Sequence, residues 1–244
     1  MIDNHNNILI TGASSGLGAK LAEIYAKPKT NLYLCGRNQA NLNRIKEICQ
    51  QKKANNVSTH SFDVATYDLF PQELIEATSF DIIFANAGIG LDEREINNQH
   101  LVLETNLKGV INTFAFFKKN IRKGGKFVII SSLAGYRGFP SAPAYCASKA
   151  AVRVYGEALR AAEQDINISV VCPGYINTPM TQTHGDTKLP FLCSAEKAAQ
   201  YIHNKLEKNP ARISFPWQLT WLLWSLQMLP ENLVARLIAR FTPS

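Results

Sequence analysis

Ser132 lies thirteen positions before Tyr145, and Lys149 follows four positions after it. On a helix a four-residue spacing puts a phenol and an ammonium on one face. A hydroxyl brought opposite completes a set able to move a proton on and off a carbonyl oxygen. That is half of an alcohol–ketone interconversion, and the hydride must come from a cofactor. Tyr-x-x-x-Lys alone is weak evidence, because it occurs three times here: Tyr25/Lys29, Tyr145/Lys149 and Tyr201/Lys205. Pro28 breaks the helix that would join the first pair. Tyr201 has no serine at the matching distance. Only Tyr145 follows a strand-like run ending in Ser131-Ser132 and precedes a long helical pattern.

A seat for the hydride carrier is written near the N-terminus. The run Thr11-Gly12-Ala13-Ser14-Ser15-Gly16-Leu17-Gly18 joins an apolar strand pattern to a helical one. Glycines allow a tight turn and close approach of backbone to a pyrophosphate, which the N–H groups of the helix start would face. No Gly-Lys-Ser/Thr ending follows, which disfavours a nucleotide hydrolase loop. The second strand pattern ends at Cys35-Gly36-Arg37-Asn38. In a dinucleotide fold an acidic residue there would bind a ribose 2′-hydroxyl, whereas arginine accommodates a 2′-phosphate. Gly36 leaves the acidic position empty and Arg37 follows, so NADP is favoured over NAD.

These residues need a scaffold. Short apolar runs at 8–10, 32–35, 57–62, 82–85, 127–130, 166–171 and 212–215 alternate with helical patterns. The latter cover 17–27, 39–52, 67–77, 101–120, 147–163 and 195–208. Such alternation predicts an α/β, Rossmann-like doubly wound parallel sheet in three layers. No linker or repeat divides residues 1–244, so one domain is expected, with 216–244 as a helical extension. A net charge of +7 is spread without any basic run longer than two residues, which reads as a solvated surface and not as a nucleic-acid site. Five cysteines without a C-x-x-C pair point to reduced thiols and a cytoplasmic protein with no metal site.

Taken together the motifs resemble the short-chain dehydrogenase/reductase family, single-domain type, from about Asn7 to Thr178. They are Thr11 to Gly18, Asp63-Val64, Asn86-Ala87-Gly88, Asn106, Ser131-Ser132, Tyr145-x-x-x-Lys149, and Pro173-Gly174 with Thr178. The resemblance implies seven strands in the order 3-2-1-4-5-6-7. It implies that Tyr145 is the general acid in reduction, that Lys149 lowers its pKa and holds the nicotinamide ribose, and that Ser132 binds the substrate oxygen. Asn106 would anchor a proton-relaying water. Gly12, Ser14, Ser15, Gly16, Leu17 and Gly18 would cradle the dinucleotide, Asp63 and Val64 its adenine, and Asn86, Ala87 and Gly88 its ribose. Asn86 has an equal claim to tying strands together. Pro173, Gly174, Ile176 and Thr178 would fix the nicotinamide. A homodimer is implied through helices near 101–120 and 147–163, with a tetramer as the larger option.

The resulting expectation is an NADPH-favouring oxidoreductase interconverting a carbonyl and a secondary alcohol. The rivals are an NAD-dependent alcohol dehydrogenase and a non-catalytic dinucleotide sensor. The substrate side carries less signal. Residues 180–194 read as a lid, with His184 as its one histidine, more simply an exposed one. Leu133, Tyr136, Phe139, Leu189 and Phe191 are candidate walls for a lipophilic substrate, and Arg137 could meet an anionic tail. On a helical wheel Trp217, Trp221, Trp224 and Met228 oppose Leu219, Leu222, Leu223, Leu226 and Leu229. A second amphipathic helix is expected over 231–241. Packing within the protein or between subunits, peripheral membrane contact, and a roof over the substrate are all open for this tail.

Overall fold

The apolar runs form a parallel sheet with helices on both faces. The computed structural model describes residues 6–182, 189–230, 232–234 and 236. The chain opens with β1 (Asn6–Thr11), α1 (Gly16–Tyr25), β2 (Thr30–Gly36), α2 (Gln39–Gln51) and β3 (Asn56–Ser61). It continues with α3 (Glu73–Ala77), β4 (Phe80–Ala85), α4 (Ile96–Leu103), α5 (Gly109–Phe117), β5 (Ile121–Ile130), α6 (Pro143–Ala162) and β6 (Asn167–Pro173). Then come β7 (Ile176–Asn177), α7 (Pro179–Gln182), β8 (Cys193–Ser194), α8 (Ala195–Leu206), β9 (Arg212–Phe215) and α9 (Trp217–Leu226). Seven strands pair in the order β3-β2-β1-β4-β5-β6-β9, all parallel, while β7 pairs with β8 apart from them. The expected topology holds.

Side chains alternate across the sheet and feed two cores. Ile8 and Ile10 join Leu32 and Leu34 beneath α1, α2 and α8. Leu9 joins Ile83, Phe127 and Ile129 on the other face, with α5 and α6. Chain order reverses between β1 and β4, so the crevice of the sheet opens there, at the carboxyl ends of the strands.

Several elements differ from expectation. The helix expected over 67–77 is split by Pro71 into a short 3₁₀ turn, Tyr67–Leu69, and α3. The helix expected over 101–120 begins at Ile96 and contains a π-helical turn, Glu104–Lys108, centred on Asn106. α6 starts at Pro143 instead of 147, because proline suits a first helical turn, and this puts Tyr145 in that turn.

The tail agrees in part. Leu219 and Leu223 of α9 pack on Leu133, Tyr136, Val170 and Cys172. Leu222 and Leu229, which the wheel put on one face with Leu219 and Leu223, are exposed, as are Trp217, Trp221, Trp224 and Met228. One helix touching the domain edge buries a narrower stripe than the wheel allowed. Most of the second amphipathic helix, and His184, fall outside the described residues. Among the described residues no helix is long and apolar enough to cross a membrane. Cys35, Cys49, Cys146 and Cys172 are buried free thiols, and Cys193 is half-buried and free.

One close approach positions the centre of the molecule. The 3₁₀ turn Leu133–Gly135 after β5 packs directly on α6, and a Cβ on Gly135 would sit 2.7 Å from the Lys149 carbonyl carbon and oxygen. Both atoms belong to the backbone, so neither can swing aside. Gly135→Ala should therefore cost about 1–3 kcal/mol and lower the thermal midpoint by several degrees. An unchanged midpoint by circular dichroism would mean that the turn moves off α6 at no cost.

Candidate active site

The first strand–helix turn needs two glycines for different reasons. Gly12 has φ +66°, in the left-handed region that side chains disfavour. Gly18 is helical, but a Cβ there would lie 2.3 Å from the Gly12 carbonyl oxygen. Ser15 precedes α1 in extended conformation, and no side chain caps its first amides. These N–H groups, at the positive end of the helix, form an anion cradle.

The neighbouring residues fix this cradle to the sheet. The Thr11 hydroxyl donates to the Phe84 carbonyl at 3.2 Å and accepts from the Asn86 and Ala87 amides at 3.0 and 3.1 Å. Asn86 Nδ2 donates to the Thr11 carbonyl at 2.9 Å and to the Gly12 carbonyl at 3.2 Å. Of the two roles open for Asn86, tying β1 to the end of β4 is thus directly visible. Its side chain also borders the cleft.

That cleft has a volume of about 440 Å³ and runs across the carboxyl ends of the strands. Gly12, Ser14, Ser15, Gly16, Leu17 and Gly18 line one end, with Arg37, Asp63, Val64, Asn86, Ala87 and Gly88. Ser132, Tyr145, Lys149, Pro173, Gly174, Ile176 and Thr178 line the other. Every residue singled out from the sequence for cofactor or catalysis therefore borders it, except Asn106, which is fully buried just behind.

At the β2 end, Asn38 caps α2 by accepting from the Asn41 amide at 2.9 Å, which leaves Arg37 at the rim. Arg37 Nη1 lies 3.7 Å from Asp63 Oδ2, and its side chain is 59% exposed, free enough to meet an anion. The Ser14 hydroxyl stands beside Gly36, 3.5 Å from where a Cβ would be. Arg37, Ser14 and the uncapped α1 together form a phosphate-compatible rim.

At the other end β5 delivers the serines. The Ser131 amide donates to the Val171 carbonyl at 2.8 Å, and its hydroxyl donates to the Lys149 carbonyl at 2.7 Å. Ser132 then turns outward, accepting from the Ala134 amide at 3.1 Å and hydrogen-bonding the Tyr145 phenol. Lys149 is buried, and its Nζ donates to the Ile130 carbonyl at 3.0 Å. The same Nζ stands 5.6 Å from the centre of the Tyr145 ring. A Cβ on Gly88 would come within 3.3 Å of Lys149 Nζ and 3.1 Å of Asn106 Oδ1, so all three share one small volume.

Asn106 is pinned by its own side chain. Its Oδ1 accepts from the Ile89 amide at 2.7 Å, and its Nδ2 donates to the Ile89 carbonyl at 2.9 Å and to Ser148 Oγ at 3.3 Å. The π-helical turn aims this residue at the Asn86–Ile89 loop; such insertions recur at functional sites.

Burial dominates the electrostatics of this pair. It pushes the Tyr145 phenol up to about 12, with the Ser132 hydrogen bond opposing. Burial likewise pulls the Lys149 ammonium down to about 8. Each group loses more hydration than its partner returns.

The substrate side also differs. Leu133 and Tyr136 face away from the cleft and are buried under α9. Phe139 and Leu189 are half-buried, Phe191 is exposed, and none of the three borders the cleft. Ile89, Leu91 and Met180 supply the apolar wall instead. Met180 Sδ would lie 3.5 Å from a Cβ on Gly90, so α7 closes against the loop after β4. Sequence reasoning also passed over Ser148 and Glu93. Ser148 is buried and donates to the Tyr145 carbonyl at 2.7 Å. Glu93 sends its carboxylate to the start of α6. The segment around Glu93 carries no pattern that marks it, because its partner is fifty-one residues away.

The chain is similar to known proteins over most of its length. The family model described as short chain dehydrogenase matches residues 6–189. An uncharacterized oxidoreductase of Mycobacterium tuberculosis is 34% identical, covering 94% of this chain and 96% of its own. Two solved structures share the fold. A short-chain dehydrogenase from Sphingobium yanoikuyae in complex with NADPH has a TM-score of 0.80 at 20% identity, covering 94% of this chain and 95% of its own. A short-chain dehydrogenase/reductase from Burkholderia phymatum in complex with NAD has a TM-score of 0.78 at 21% identity, covering 96% of each chain. The matched family model, the parallel sheet and the Ser132, Tyr145 and Lys149 cluster agree, and the chain belongs to the short-chain dehydrogenase/reductase family of oxidoreductases.

Proposed function

We propose that the protein is an NADPH-preferring carbonyl reductase acting on a lipophilic ketone or aldehyde. The observation that carries this reading is the single cleft with an anion cradle and Arg37 at one end and Ser132, Tyr145 and Lys149 at the other. A bound NADPH would supply the hydride. The uncapped start of α1 would hold its pyrophosphate, Arg37 and Ser14 the 2′-phosphate, and Asp63 and Val64 the adenine. Ile176 and Thr178 would orient the nicotinamide, and Lys149 its ribose. Ser132 would hold the substrate oxygen, and the Tyr145 phenol would pass its proton to the forming alkoxide. Ile89, Leu91 and Met180 favour an apolar substrate body, since burying such walls is favourable only against apolar surface.

Three measurements test the reading. Tyr145→Phe keeps the ring and removes the proton. Turnover of the best carbonyl from a panel of ketones, steroids, sugars and acyl-chain carbonyls should fall by about 10²–10⁴-fold, with NADPH affinity retained. Wild-type turnover by this variant would remove Tyr145 from the chemistry, and a wild type that binds cofactor yet reduces nothing would favour a sensor.

Arg37→Ala should weaken NADPH binding roughly ten- to a hundredfold, the worth of a charge-assisted phosphate contact. Binding of NADH should stay nearly constant. Equal loss for the two, or no loss, by isothermal titration would point to an NAD enzyme.

The third test is pH. A lysine whose pKa is lowered gives up its charge sooner as pH rises. Lys149 lies at about 8 and Tyr145 at about 12. Reduction needs both groups protonated, so kcat/KM should be level below pH 8 and decline above it, while the phenol still holds its proton. A profile level to pH 10 would mean that the charged ammonium is not required.

A further inference from the structure

The loop between β4 and α4 sends one carboxylate into the interior. Glu93 is 5% exposed. Its Oε2 accepts from the Ala144 amide at 2.6 Å, and its Oε1 from the Tyr145 amide at 2.8 Å. Both are first-turn amides of α6, which Ala142 leaves without a side-chain cap of its own. A buried carboxylate is costly unless its oxygens are satisfied. Here both are satisfied by backbone N–H groups at the positive end of a helix, the arrangement that best tolerates a negative charge. Among the described residues no basic side chain forms an ion pair with it.

The carboxylate is also held from behind. Gln99 Nε2 of α4 donates to the Glu93 carbonyl at 2.8 Å, and Asn98 Nδ2 to the Asp92 carbonyl at 2.8 Å. Two residues earlier, Leu91 lines the cleft. One short segment thus touches the cleft wall, is anchored to α4, and ends on the amide of the residue that carries the phenol. An ordinary cap would stabilise a helix end from the adjacent chain. This one comes from a separate loop and selects the turn that contains Tyr145.

We infer that Glu93 is a positioning residue for proton transfer: its bidentate hold on the Ala144 and Tyr145 amides fixes the Tyr145 phenol against Ser132 and Lys149, and couples the cleft loop to the first turn of α6. This rests on the proton-transfer role proposed for Tyr145. The carboxylate also offsets the positive end of α6, which would otherwise favour phenolate. The other groups facing the phenol are the Lys149 ammonium from α6, the Ser132 hydroxyl after β5, the Cys146 thiol, and the Tyr175 phenol after β6. Of these, the Cys146 thiol, pushed up first by burial, is also pushed up by the Glu93 charge and would relax with its removal.

The test compares full-length wild type, Glu93→Gln and Glu93→Asp, with Tyr145→Phe as the reference for lost chemistry. Glutamine keeps one acceptor but turns an amide N–H toward a backbone N–H. Glu93→Gln should lower kcat roughly tenfold with KM for NADPH within about twofold, since a small misplacement of a reacting group is costly in rate. Amide hydrogen exchange should speed up in the first turn of α6 and stay unchanged in its later turns. In the oxidative direction, where the phenol must first lose its proton, the acid limb of kcat should move down by roughly half a pH unit, the size of a helix-end charge effect. Glu93→Asp keeps the charge and should leave that limb in place while recovering part of kcat. Unchanged kcat, or a drop in kcat that tracks global loss of stability with no shift of the limb, overturns the inference. If the wild type turns over no carbonyl, the proposed reductase reading fails by itself. The exchange pattern then decides about Glu93: a first turn as protected in Glu93→Gln as in wild type overturns the positioning role.

Discussion

A buried ammonium governs the centre of this molecule. Lys149 takes a full positive charge under the sheet edge, where loss of hydration costs several kcal/mol before any partner responds. Among the described residues its direct acceptor is the Ile130 carbonyl, at 3.0 Å. The surroundings follow from holding that contact. β5 must end where its last carbonyl faces α6, and Ser131 secures this by bonding the Lys149 carbonyl. The next turn must press on the α6 backbone, which only Gly135 allows. The loop opposite must leave space over Nζ, which Gly88 supplies. Asn106 then braces that loop through both Ile89 backbone groups. The sheet, the π-helical turn and two glycines are thus tied to one charge.

Spacing alone does not make such a site. Tyr201 and Lys205 reproduce the four-residue offset on α8, and Lys205 Nζ stands 5.4 Å from the Tyr201 ring centre. That is nearly the 5.6 Å of the Tyr145 pair. The difference is position. Tyr201 is 39% exposed and packs beside Phe215, away from the cleft, and Lys205 stays in water. Tyr145 starts the helix that follows β5, and parallel strands deliver their carboxyl ends to one crevice.

The same logic explains what was legible in the sequence. The strand–helix alternation, the glycine turn, Arg37 and the Ser132/Tyr145/Lys149 set follow from local patterns of apolar runs, turn glycines and helical offsets, whereas the strand order came with the family resemblance. Asn86 was readable only as two alternatives, because a carboxamide after a strand can face a ligand or a neighbouring backbone. The misses have a common cause. Whether Leu133 and Tyr136 face the cleft or α9 depends on how a 3₁₀ turn rolls against a tail eighty residues away, and no local period encodes that roll. Glu93 and Ser148 act on backbone amides and carbonyls, which every residue possesses. Partners of that kind leave no mark in composition or spacing. The burial that pushes the phenol up was not legible for a related reason: a nearby cation is visible as a letter in the sequence, whereas burial is a property of the whole fold.

That last point bears on direction. Under the proposed chemistry the phenol has to give up a proton to an alkoxide, a much stronger base than phenolate. A phenol held at about 12 still makes that transfer downhill, and it stays protonated across the working range. Oxidation runs the other way and needs phenolate at the start, the form that burial disfavours most. Lys149 at about 8 keeps its charge at neutral pH with little margin, so ammonium and phenol are both in the donor state together. The protein's own environment pushes the two acidities apart, and the state it populates is the one that reduction consumes. Under the same proposal Arg37, at the opposite end of the cleft, would meet a 2′-phosphate, which separates NADP(H) from NAD(H) and leaves the direction to the proton-transfer end.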